Sequence, residues 1–134
     1  MAHPYDHARS SARRFGGEPE AYLPLHNWFD ESKKMYCSWR HRALRHHAEG
    51  IFMLEAIFGV TITNSEGKKV PTRLIGEQHV KEDLGWIPTM QDWFKHLAHE
   101  PWMTRGVQRL KLDDGTVPKG GGRQRRASVR NKKG

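Results

Sequence analysis

Nine histidines among 134 residues are the first feature of this chain that could do chemistry. Imidazole and carboxylate groups hold a metal ion when they converge, and a helix brings them together at spacings of three or four residues. Three pairs have that spacing: His3 with His7, His46 with Glu49, and His79 with Asp83. His47 adds to them because its helical phase directs it into an apolar arc, where each ring nitrogen needs a partner. The sequence therefore nominates His47, His79, Asp83 and His7 as a site for a divalent metal such as zinc. The competing expectation is that His47 is an ordinary core histidine, hydrogen-bonded to Asp30, Asp83 or a backbone carbonyl. His41, His96 and His99 are expected on the surface.

Specific catalytic signatures are absent. The chain has no HExxH, no paired CxxC and no adjacent His-Asp doublet, and it lacks the GxSxG, P-loop and GxGxxG patterns. Asp30-Glu31 and Glu82-Asp83 could act as general acid or base, although adjacent acids near helix ends more often cap or stay solvated. A single cysteine, Cys37, excludes an internal disulfide and a multi-cysteine zinc site, which suits a reducing cytoplasm. No catalytic residue is assigned, and the leading expectation requires no cofactor.

The second feature is charge. The net charge of +8 is concentrated in residues 119–134, where Lys119, Arg123, Arg125, Arg126, Arg130, Lys132 and Lys133 occur without an acid. Residues 1–118 hold 16 basic and 15 acidic side chains, so they are nearly neutral. A flexible basic peptide gains affinity for DNA, RNA or a ribonucleoprotein by releasing condensed counterions. On this basis the leading expectation is a non-enzymatic nucleic-acid-associated protein held by its tail, with Arg42 and Arg45 extending the positive surface over the body. The alternatives are a metal-dependent hydrolase with its His/Asp site in the helical core, and an interaction module. The last would dock an acidic protein through the tail, or a partner through an apolar surface around Trp86, Trp93 and Trp102.

These groups need a scaffold, and the periodicity predicts a mainly α one with about five helices around one core. Residues 3–15 read as a helix stopped by Gly16-Gly17, and Glu18-Pro19-Glu20 opens a second with Tyr22, Leu25 and Phe29 at helical spacing. Residues 31–58 read as one long helix with Tyr36, Trp39, Ala43, Gly50, Ile51, Leu54 and Phe58 on its apolar arc. On that wheel Arg42 and Arg45 face outward and His46 lies at the margin. A β-hairpin is expected at about 60–73, with a turn at Asn64-Ser65-Glu66-Gly67, then helices at 74–84 and 89–99. Thr89 and Asp92 have the spacing of a capping box. The expected organisation is a helical domain at 1–103, a linker at 104–118 and a disordered basic tail at 119–134. No run of apolar residues is long enough to span a membrane.

The peptides HRALRHHAEGIF (41–52), GVTITNSEGKKVPTR (59–73) and IGEQHVKEDLGWIP (75–88) resemble an uncharacterised family of small bacterial and phage proteins, known as a domain of unknown function. The likeness extends to HPYDHARSSARRFGG (3–17) and WFDESK (28–33), and so covers roughly residues 3–103. It implies no activity and no site residues.

Overall fold

The computed structural model describes residues 3–107, and the elements below are those of the described residues. The chain divides into two units, residues 1–97 and 98–134. The second has one described element, a 3-10 turn at Pro101–Thr104. The basic segment 119–134 lies outside the described residues.

The first unit is mainly helical with one hairpin. Helix α1 spans Pro4–Phe15, α2 Leu23–Asp30, α3 Ala48–Phe58, α4 Thr72–Leu84 and α5 Met90–Phe94. Strands β1 (Thr61–Thr63) and β2 (Lys69–Pro71) pair antiparallel, with Ile62 opposite Val70. Helix α4 packs against α1, α2 and α3. Between them lies a core of Ala8, Tyr22, Leu25, Phe29, Ile51, Leu54, Val70, Ile75 and Val80. Gly76 allows the closest approach, because a Cβ there would lie 3.1–3.3 Å from the Ile51 and Leu54 side chains of α3. The hairpin turn is fastened to the end of α1 through Asn64, whose amide donates to the Tyr22 hydroxyl at 3.1 Å, while that hydroxyl donates to the Gly16 carbonyl at 2.6 Å. None of the described helices is long and apolar enough to cross a membrane.

The one long helix expected at 31–58 is three pieces: 3-10 turns at Glu31–Lys34 and Trp39–Leu44, and then α3. Local polar groups start the second and third pieces. The Ser38 side chain accepts from the Arg40 amide at 3.2 Å and starts the second turn. His47 lies in extended backbone, and its Nδ1 accepts from the Gly50 amide at 2.9 Å, so it is the N-cap of α3. The helical wheel therefore fails upstream of residue 47. Tyr36 and Trp39 are exposed, and His41, expected on the surface, is fully buried. The final helix also stops earlier than expected, at Phe94, although its Thr89–Asp92 capping box is present.

Gly50 is part of the same break. A Cβ there would fall 1.8 Å from the Arg45 carbonyl oxygen, and backbone cannot yield as a side-chain tip can. Gly50→Ala is expected to lower stability by about 2 kcal/mol or more, in the range of core overpacking. Chemical denaturation of the full chain measures it.

Candidate metal centre

Helices α1, α2 and α4 present polar residues to the middle of the bundle at the i,i+4 spacing of one face. Helix α1 supplies His7 and Ser11, α2 supplies His26 and Asp30, and α4 supplies His79 and Asp83 together with Gln78 and Glu82. The turn before α3 adds His46. The His7, His26, His46 and His79 rings and the Asp83 carboxylate are almost fully buried, while Asp30 keeps 8% of its surface.

Four donor atoms from Asp30, His46, His79 and Asp83 lie within 4.8 Å of one another. His46 Nε2 is 3.0 Å from Asp83 Oδ2 and 3.5 Å from Asp30 Oδ1. His79 Nε2 is 3.3 and 3.6 Å from the same two oxygens. Ligands about 2.1 Å from a shared ion are about 3.0 Å apart at right angles and about 3.4 Å apart at tetrahedral angles. The four distances lie close to the separations that the ligands of one ion would have. His79 Nε2 and both oxygens of Asp30 are buried with no hydrogen-bond partner among the described residues. Such groups are expensive unless something occupies the point they face.

The surroundings hold the donors in place. His79 stacks on Phe29, ring centroids 4.5 Å apart and 17° between planes. Its Nδ1 lies 2.9 Å from His26 Nδ1, His26 Nε2 lies 2.8 Å from Ser11 Oγ, and Ser11 donates to Gln78 Oε1 at 2.6 Å. The second oxygen of Asp83 faces His7 Nε2 at 3.2 Å, and His7 Nδ1 lies 2.7 Å from Glu82.

Burial pushes the Asp83 carboxyl up, but the facing His46, His7 and His79 rings outweigh it and hold it well below the usual carboxylate range. Asp30 is depressed in the same way by His46 and His79. Burial and the adjacent His79 and His7 push His26 down to about 2, so it is neutral. His7 moves up, because Asp83 and Glu82 outweigh its burial. The result is two ionised carboxylates sharing a buried point with imidazole nitrogens, an arrangement a divalent cation neutralises.

Of the residues nominated from the sequence, His79, Asp83 and His7 come together here. His47 does not: its two ring nitrogens are used by the Gly50 amide and, at 3.1 Å, the Leu44 carbonyl. Asp30 and His46 complete the cluster; the sequence reading pairs His46 with Glu49 and nominates neither residue for the site. His26-xxx-Asp30 repeats the spacing of His79-xxx-Asp83, and that repetition was the available signal. Arg42 and Arg45 do not face outward as expected. Arg45 lies over the Trp28 ring, donates to the Trp28 carbonyl at 2.6 Å and pairs with Glu31 at 3.0 Å. Arg42 turns towards Asp83, with Nη2 3.8 Å from Oδ1, and keeps 16% of its side-chain surface.

Trp86 is exposed, whereas Trp93 spends its indole N–H on the His46 carbonyl at 3.0 Å. Trp102 is exposed in the second unit, and Cys37 is exposed and free.

Fold and site together define a small helical domain built around a buried histidine–carboxylate centre. Residues 2–103 match the model of the family described as Domain of unknown function (DUF6915), and the chain belongs to that family. No curated protein and no solved structure matches it.

Proposed function

We propose that Asp30, His46, His79 and Asp83 hold one divalent metal ion and that the domain is a metal-dependent hydrolase. The observation that carries this reading is the convergence of four donor atoms from α2, α4 and the turn before α3, two of them carboxylate oxygens kept ionised in a buried place. Two imidazoles and two carboxylates without a thiolate suit zinc, manganese or iron. A bound ion of this kind supplies Lewis acidity and activates water at neutral pH.

Both Asp30 oxygens and the His46 and His79 rings are buried, so substrate would reach the donor atoms only through a local opening of the fold. Asp30 lines a surface pocket of about 590 Å³ that includes His3, Asn27, Lys33 and Lys34. Glu31 lines it too, but its charge is matched by Arg45. The test is turnover of nitrophenyl phosphates and carboxylate esters by the full chain after metal loading. Activity lost with a chelator and in Asp83→Asn is expected. Full metal occupancy with no turnover of any ester would leave a structural centre and end the hydrolase reading.

Nucleic-acid contact through residues 119–134 is a separate proposal, favoured by seven cations without an acid in that segment. Arg42 and Arg45 are committed within the body, so binding should rest on the tail. The full chain is expected to bind duplex DNA with a log–log salt slope up to about −6, and a 1–118 truncation to bind almost nothing. Equal binding by both proteins would refute it.

A further inference from the structure

We infer that His26 is a positioning residue, which through a chain of directed hydrogen bonds fixes His79 with its proton on Nδ1 and its lone pair on Nε2. The direction of the chain follows from its far end. Gln78 Nε2 donates to the His7 carbonyl at 3.0 Å, which orients the amide and leaves Oε1 towards Ser11. Ser11 must spend its one proton on that oxygen, at 2.6 Å, so it can only accept from His26 Nε2 at 2.8 Å. His26 therefore carries a proton on Nε2.

One proton lies between His26 Nδ1 and His79 Nδ1, 2.9 Å apart. If it belonged to His26, that ring would be a fully buried imidazolium whose hydrogen bonds among the described residues go to Ser11 and His79 and not to a carboxylate. A buried charge without a counter-ion costs several kcal/mol. The proton therefore belongs to His79, and neutral His26 accepts it. His79 Nε2 is then the atom presented to Asp30 and Asp83, in the tautomer a metal ligand requires.

The proton on His79 Nδ1 follows from the hydrogen-bond chain alone; the lone pair on Nε2, which faces two carboxylates, and the tighter metal binding rest on the reading of the centre as a metal site. Long-range proton–nitrogen NMR of the full, chelator-stripped chain at mildly alkaline pH reads the tautomer directly. The expected spectrum has His79 protonated on Nδ1 and His26 on Nε2. Protonation of His79 on Nε2 alone would overturn the inference.

Zinc titration supplies the second readout. His26→Phe keeps a ring but removes the acceptor, and should weaken zinc binding about 10- to 100-fold. His26→Asn places an oxygen near the Nδ1 position and should recover much of that loss. Equal affinity in wild type and His26→Phe would count against the inference. If the wild type takes up no zinc, the metal centre fails, and the NMR tautomer alone decides the role of His26.

Discussion

Zinc or manganese added to chelator-stripped protein is expected to raise the midpoint of thermal unfolding by about 10 °C or more. Ligand at a hundredfold excess over its Kd stabilises the fold by about 2.7 kcal/mol, and each kcal/mol moves a domain of this size by about 4–8 °C. The effect should be large because the metal-free centre is costly. Asp30 and Asp83 are buried and ionised, Asp30 has no hydrogen bond to either oxygen among the described residues, and His79 Nε2 points at both. The ion replaces several poor contacts at once. Differential scanning calorimetry with and without metal measures the shift, and magnesium is the useful contrast. Magnesium dehydrates reluctantly and prefers an all-oxygen shell, so it should give the smallest change.

Asp83→Asn should have the second large effect, abolishing metal uptake and destabilising the metal-free fold by about 3–5 kcal/mol. Asp83 is the hub of the cluster. One oxygen faces His46 and His79, the other His7, with Arg42 beside it. Removing the charge strips several buried donors of their acceptor, and breaking a buried pair by one partner costs in that range. Two neighbours make the comparison specific. Glu82→Gln removes a partly exposed carboxylate that binds His7 and Ser10, and should cost about 1 kcal/mol with metal stoichiometry intact. His47→Ala removes the N-cap of α3 and should cost about 1 kcal/mol, again without loss of metal. Urea denaturation and metal analysis of the three variants separate hub, neighbour and cap.

The part of the site that was legible in the sequence is the part carried by unbroken helices. His79 and Asp83 stand one turn apart on α4, and His7 lies on α1, whose end at Gly16 was readable from its glycines. Helix number, hairpin and capping box followed from periodicity and turn chemistry for the same reason: each is decided by residues close in the chain. His46 and His47 were exchanged because residues 31–58 have a continuous helical period, whereas the backbone breaks at 35–38 and again at 45–47. Those breaks depend on a serine and a histidine acting as caps and on Gly50 meeting the Arg45 carbonyl, events that a wheel does not contain. Once the wheel is broken, His46 turns inward, His47 becomes a cap, His41 is buried, and Arg42 and Arg45 fold back on the body. Asp30 was seen as half of an acidic pair at a helix end and as one of the partners expected for His47. Its role appears when α2 is laid against α4, a long-range packing that the sequence does not state.

The most direct test of the metal centre is a calorimetric titration of chelator-stripped, full-length protein with zinc, run beside Asp83→Asn and His79→Ala. One ion per chain in the wild type, and none in either variant, is the predicted result. A wild-type chain that stays folded and takes up no ion, or variants that bind as well as the wild type, would contradict it.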